Sequence, residues 1–189
     1  KAVGYPGMEV IFLRTFLFVF LNVVLSLIGS LFVVVITTYY LDIVYKRKSL
    51  GLMFRIIWLI PSLTPTSVFM FIWRFVFGPE SYGLINQMLI FLGLPTVQWF
   101  TTSSFALLIL AGCLRSASGS IILFSSAISQ IPGSILQSAK VDGASNFSIL
   151  RKIVLPYLSW PITQKTLWSI LGNFTAYESI RLLTNGGPM

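Results

Sequence analysis

The sequence predicts an all-α fold, a polytopic bundle of membrane-crossing helices, from three observations. Only 10% of its 189 residues are charged and 56% are hydrophobic, where a soluble domain carries about 25% charged residues. The apolar residues gather into long runs, and Thr15 to Leu41 holds no charge at all. The basic residues fall in the gaps between runs, as the positive-inside rule and anionic headgroups require. The expected architecture is about four spanning helices, a cytoplasmic helix–turn–helix loop and an outer-surface segment.

The same composition excludes other classes. A net charge of +8 could serve nucleic acid, but the positive charges form no single patch with interleaved aromatics. One cysteine, Cys113, excludes an internal disulfide, and without histidine a metal site is short of ligands. The chain opens on Lys1 rather than Met, and its first apolar run is too long for a signal-peptide core. A segment of a longer protein is expected.

Thr15 to Leu41 exceeds the ~20 residues that cross a ~30 Å hydrocarbon core. Asn22, Ser26, Gly29 and Ser30 lie close to one face of it, a small-residue surface that lets helices approach in lipid. Lys46-Arg47-Lys48 and Arg55, with Asp42 the nearby acid, mark a first cytoplasmic loop. Ile56 to Phe77 then returns across the membrane, broken by Pro61 and Pro65, whose freed carbonyls need neighbours or water. Arg74, beside Trp73, is placed to snorkel to the outer interface. In the outer segment, Gly78 to Phe100, Glu80 is the one charge. Leu84, Ile85, Met88, Leu89 and Leu92 recur there at helical spacing, and Tyr82 and Trp99 suit an aromatic belt.

Thr101 to Gln130 is the third crossing. Arg115 falls near its middle, where a charge costs about 2.5–3.5 kcal/mol against a gain of about 0.5 for each Leu, Ile, Val or Phe. Ser116, Ser118, Gly119, Ser120, Ser125 and Ser126 thin the margin further. The helix therefore belongs inside the bundle, with Arg115 turned to protein or to a wet cavity. A path through the bundle and a structural hydrogen bond both remain open for it.

Ile131 to Pro156 must lie in water, for it holds Lys140, Asp142, Arg151 and Lys152. Pro132 suits a first helical position, Asp142-Gly143 is a turn signal, Ala144-Ser145 reopens a helix, and Leu155-Pro156 should end it. Ile135, Leu136 and Ala139 share one side of the first helix; Phe147, Leu150, Arg151 and Val154 share one side of the second. Such a pair is built to dock. Trp160-Pro161 opens a fourth crossing to about Tyr177. Asn173, Thr175, Tyr177 and Glu178 collect towards its outer half, and Glu178 and Arg181, three apart, are spaced to pair.

The stretch from Ile131 to Pro156 resembles the coupling loop of permeases in ATP-binding-cassette (ABC) importers, roughly I-P-x-x-x-x-E-A-A-x-x-D-G-A-[SN] and then L-P. Ile131-Pro132, Ala139, Asp142-Gly143-Ala144-Ser145 and Leu155-Pro156 stand at the family spacing, while Gln137-Ser138 replace the usual Glu-Ala. Pro61-Ser62-Leu63-Thr64-Pro65, Trp73-Arg74, Gly83-Leu84-Ile85-Asn86-Gln87-Met88-Leu89 and Leu183-Thr184-Asn185-Gly186-Gly187-Pro188 are similar to the carbohydrate-importer branch, of the maltose type.

The resemblance implies one permease domain over residues 1–189, incomplete, with at least one further core helix expected past Met189 and a coupling loop at 130–156. It implies a multi-pass protein of a bacterial or archaeal inner membrane that forms half of a channel for a sugar, oligosaccharide or sugar-alcohol phosphate. Its partners would be a second permease subunit, a pair of cytoplasmic ATPase subunits, an extracytoplasmic solute-binding protein and membrane lipid. The chain has no Walker A glycine loop, so it is expected to be no enzyme and to carry no cofactor. ATP and Mg would act on the ATPase partner. The implied coupling residues are Gln137, Ser138, Ala139, Asp142, Gly143, Ala144 and Ser145. Arg115, Asn173, Thr175, Tyr177 and Glu178 are candidates for lining the path.

An ion-coupled secondary transporter is the alternative. Such proteins bury acids as relays, whereas Glu9, Asp42, Glu80 and Asp142 sit in loops or at ends and leave Glu178 alone. A membrane enzyme finds no nucleophile with a base. The basic residues put Lys46–Lys48, Arg55, Lys140, Arg151, Lys152 and Lys165 inside, so the first helix should begin outside.

Overall fold

The computed structural model describes residues 7–79 and 81–184, and every regular element among them is helical. Glu80 and the Asn185–Pro188 part of the closing motif lie outside the described residues. Helix α1, Met8–Val34, runs without a break into a π-helical stretch, Val35–Val44. It starts earlier than the charge-free run because Glu9 sits favourably in its first turn, at the positive end of the helix dipole. The π stretch closes with Tyr45 N–H bonded to the Tyr40 carbonyl at 2.8 Å, and Lys46 then turns through a left-handed φ of 57°.

Helices α2, Lys48–Leu63, and α3, Thr66–Val76, are separated where Pro65 is extended at φ −52°, ψ 142°. Pro61 is carried inside α2. Lys48 and Arg55, expected in a loop, are helical. The outer segment supplies α4, Leu84–Phe91, and α5, Trp99–Thr102. Helix α6, Ser104–Ser129, follows. Next come α7, Gly133–Val141, α8, Asn146–Ile149, a second π stretch, Leu150–Val154, and α9, Leu155–Tyr157. Helices α10, Ser159–Phe174, and α11, Tyr177–Thr184, close the described chain.

Two helices are long and apolar enough to cross a membrane, Met8–Val44 and Ser104–Ser129, and α2 with α3 makes a third if the pair counts as one broken span. The fourth crossing expected over 160–177 is not among them. Helix α10 has 16 residues, a rise of about 24 Å against a core of about 30 Å, and the chain turns at Thr175-Ala176.

The chain divides into two compact units. The loop-bearing unit comprises Leu25–Leu63 and Ser116–Ser169. Its core joins Val34 and Tyr39 to Ile121, Phe124 and Ile128 of α6, and to Leu136, Ile149, Leu150, Val154 and Leu158 from the segment that follows. Ser26 and Ser30 are buried here, and a side chain on Gly29 would stand 3.8 Å from the Ala117 Cβ. The small-residue face is thus where α1 meets α6.

The second, aromatic unit comprises Lys1–Val24, Thr64–Arg115 and Ile170–Met189. Trp73 stacks on Phe77 at 5.1 Å, and Phe77 meets Trp99 edge-on at 5.5 Å. Asn22 is fully buried against Gly112 of α6. Helix α4 exists where the spacing put it; Asn86 is buried on it while Leu84 and Met88 are exposed. An apolar surround explains that pattern, since only the polar side chain then needs protein partners.

Candidate functional site: the coupling loop

Helix α7 begins one residue later than the sequence suggests. Pro132 has ψ 128° and flanks the helix instead of opening it. At the other end, Gly143 takes φ +80°, the conformation a side chain disfavours. Its N–H bonds the Lys140 carbonyl at 3.1 Å, and Ala144 N–H bonds the Ala139 carbonyl at 2.9 Å. That pair of bonds is a Schellman cap, which satisfies the last carbonyls of the helix. Ser145 then caps α8: its Oγ accepts from Ser148 N–H at 3.2 Å. The Asp-Gly-Ala-Ser run is therefore one helix stop and one helix start with no residue to spare.

Leu155-Pro156 does not end the second helix as expected. Leu155 N–H reaches five residues back to Leu150, and helix continues through Pro156 to Tyr157. The wider π turn relieves the clash between a proline ring and the carbonyl four residues before it.

Leu136, Ile149, Leu150 and Val154 anchor the loop in the core, with Ala139 and Ala144 packed half-buried against it. Gln137, Ser138, Asp142, Gly143 and Ser145 are exposed. So are three large apolar side chains, Ile135, Phe147 and Val141, the last 87% exposed. The two expected stripes are thus split: one part holds the loop to the molecule and the other faces away.

Beneath the loop lies a polar lattice that the sequence reading missed. Asp42 and Arg55 form an ion pair at 2.7 Å, Arg55 Nη1 also donates to Thr38 Oγ1 at 2.7 Å, and Thr38 donates to Ser125 Oγ at 3.0 Å. The Tyr39 hydroxyl donates to the Asn146 carbonyl at 2.7 Å. Ser118 takes the Ser62 N–H at 3.2 Å and donates to the Trp58 carbonyl, bridging a donor and an acceptor four residues apart in α2. The available signal was a polar cluster, Thr37 to Tyr40, closing an uncharged run.

The candidate path residues are not gathered into one site. Arg115 is half-buried and donates to the Thr64 carbonyl at 2.7 Å, at the α2/α3 break. Asn173 is half-buried; Thr175, Tyr177 and Glu178 are exposed. Arg181 reaches the Tyr177 hydroxyl at 3.4 Å rather than the expected Glu178 carboxylate. Arg74 does not simply snorkel: it donates to the Leu182 carbonyl at 3.3 Å, in the last turn of α11, where a cation complements the helix dipole. No group of three or more His, Cys, Asp or Glu side chains is placed to hold a metal among the described residues.

A bundle of long apolar helices that also carries a capped helix pair with exposed apolar side chains is a membrane component. The chain belongs to the family of binding-protein-dependent transport system inner membrane components, whose pattern matches residues 34–189. It is 31% identical over 137 residues to the maltose/maltodextrin transport system permease protein MalF of Escherichia coli K12, matching 71% of this chain and 26% of that protein. It is 30% identical over 145 residues to the trehalose/maltose transport system permease protein MalF of Thermococcus litoralis, covering 76% of this chain and 48% of that one. The chain thus spans from about a quarter to about half of these relatives. Among solved structures, a bacterial alginate ABC transporter in complex with its alginate pentasaccharide-bound periplasmic protein shares the fold, with a TM-score of 0.73 at 23% identity over 90% of this chain and 58% of that one. A second bacterial ABC transporter, for alginate import, gives 0.69 at 21% identity over 96% of this chain and 67% of its own. This is a multi-pass protein of the inner membrane.

Proposed function

We propose that the chain is a permease subunit of an ABC importer, forming half of a translocation channel and converting ATPase movement into solute uptake. The observation that carries this reading is the split loop. Leu136, Ile149, Leu150 and Val154 bind it to the core, while Ile135, Val141 and Phe147 are left exposed on a segment rich in charge. A cytoplasmic ATPase pair covers that tip through Gln137, Ser138, Ala139, Asp142, Gly143, Ala144 and Ser145. ATP and Mg act on that partner. A second permease subunit completes the channel, and a solute-binding protein delivers solute from outside.

The solute is a sugar, oligosaccharide or sugar-alcohol phosphate, and the maltose-type branch is the reading that the relatives' names favour. Helix α10 serves as a fourth crossing; Trp160, Leu167, Trp168 and Leu171 turn large apolar surfaces outward along it, as lipid or a neighbouring subunit would require. Arg115, Asn173, Thr175, Tyr177 and Glu178 face the path.

The test is co-purification of the full-length protein with its ATPase. Val141→Asp combined with Phe147→Asp leaves the anchoring residues intact and is expected to abolish association, as is deletion of Ala139 to Ser145. Retained binding in the double variant sinks the docking claim. Uptake that survived ATP depletion but collapsed with the proton gradient would instead favour the secondary transporter.

A further inference from the structure

We propose that Tyr39 is a positioning residue for energy coupling: its hydroxyl fastens the coupling loop to the first long helix, so that loop and helix move as one piece. This rests on the coupling role proposed above. Tyr39 is 1% exposed, and its O–H donates at 2.7 Å to the carbonyl of Asn146, the first residue of α8 after the Ser145 cap. The same carbonyl accepts the Leu150 N–H, at the point where α8 passes into the second π stretch. Tyr39 therefore grips the loop's backbone where its helix changes register.

The neighbours of Tyr39 hold the other end of the connection. Thr38 bonds Ser125 on α6 at 3.0 Å and accepts from Arg55 on α2 at 2.7 Å, and Asp42 pairs with the same guanidinium. Three side chains of one π stretch thus reach α8, α6 and α2. The apolar anchors of the loop cannot do this alone, because burial of apolar surface is non-directional and tolerates sliding. A buried hydrogen bond has a narrow range of length and angle. Removing only the oxygen should therefore loosen the loop's position and leave its packing in place.

The decisive variant is Tyr39→Phe, in the full-length protein reconstituted into proteoliposomes with its second permease subunit, ATPase pair and binding protein. Spin labels at the exposed positions Lys152, in the second π stretch, and Phe32 report the separation of loop and helix with and without trapped ATP. Maltose is the uptake probe. In wild type the separation should not respond to ATP. In Tyr39→Phe it should shift or broaden on trapping, and ATP hydrolysed per maltose imported should rise about five-fold, the scale of one lost hydrogen bond. A purely structural role would lower thermal stability and leave the separation insensitive to ATP. That outcome, or loss of ATPase association in Tyr39→Phe, overturns the proposal. If wild type does not import maltose, the label separation alone decides. If wild type fails to associate with an ATPase, the function proposed above falls first and takes this with it; an unresponsive Tyr39→Phe in a working wild-type complex removes only the positioning role.

Discussion

The sequence of the loop-bearing unit contains Lys46, Arg47, Lys48, Arg55, Lys140, Arg151, Lys152 and Lys165 against two acids, Asp42 and Asp142; that of the aromatic unit contains Lys1, Arg14, Arg74, Arg115 and Arg181 against Glu9, Glu80 and Glu178. The two also use charge differently. In the loop-bearing unit an ion pair opens a side-chain relay, Asp42 to Arg55 to Thr38 to Ser125. In the aromatic unit Arg74, Arg115 and the side-chain nitrogen of Asn86 donate to main-chain carbonyls at helix ends and breaks. One unit spends polar chemistry on tying elements to one another, the other on closing gaps that prolines and short helices leave. A relay of that kind suits a part that must carry displacement. Carbonyl capping suits a part that must hold its shape.

The strongest way to break this contrast is at the ion pair. Arg55 and Asp42 are 16% and 14% exposed, and Asp42 Oδ1 is already buried without a hydrogen-bond partner among the described residues. Arg55→Met strands the carboxylate and is expected to cost about 3 kcal/mol, since half of a buried pair is worse than none. Thermal unfolding of the detergent-solubilised protein reads the loss, and adding Asp42→Asn should recover most of it. An Arg55→Met protein as stable as wild type would show that the relay is ornamental.

The aromatic unit offers the matching test at Asn86. Its Nδ2 donates to the Gly78 and Val97 carbonyls at 2.9 and 3.0 Å, and its Oδ1 accepts from Val97 N–H at 3.0 Å and Trp99 Nε1 at 3.3 Å. Asn86→Leu suits the apolar surround but leaves those groups unpaired, at about 2 kcal/mol. The readouts are protease cleavage within residues 78–99 and a shift in the emission of Trp99. Resistance to both would mean that the aromatic stack, Trp73 on Phe77 against Trp99, holds the outer segment by itself.

Element existence was legible wherever composition decides it. The uncharged run to Leu41, the proline-broken second stretch and the serine-rich α6 all lie where hydropathy put them. The Asp142–Ser145 turn was legible because only a few residue types satisfy its backbone. What escaped were contacts between elements distant in sequence: Tyr39 with Asn146, Ser118 with α2, Arg74 with Leu182. Nothing local marks a tyrosine as the partner of a carbonyl more than a hundred residues on. Pro156 misled for a related reason, because the π turn that accommodates it depends on how Leu150 and Val154 pack in the core. The short α10 was overestimated by reading through Thr175 to Tyr177.

Arg115 sharpens the comparison by testing whether a cation in the aromatic unit is a cap or part of a path. Arg115→Met withdraws the donor from the Thr64 carbonyl and should cost about 1.5 kcal/mol, near the upper end for polar contacts inside membrane bundles. Uptake with unchanged solute preference would support the capping role. A changed preference at unchanged stability would support its place on the path.

The smallest effect is expected at Ser118, and it probes whether α2 depends on a borrowed hydroxyl. Ser118 Oγ sits between the Ser62 N–H and the Trp58 carbonyl, and a side chain inserted into an i→i−4 pair is a recognised cause of a helix kink. In Ser118→Ala those two groups can turn to each other, because donor and acceptor belong to the same ladder. The net loss should therefore be about 0.6 kcal/mol, the typical value for one polar contact between membrane helices, with α2 straightening as the ladder closes. A spin-label pair at the exposed residues Leu52 and Leu63, on either side of Pro61, would lengthen its separation if the ladder closes. An unchanged separation would assign the shape of α2 to Pro61 alone, and Ser118 would then fill a kink it does not create.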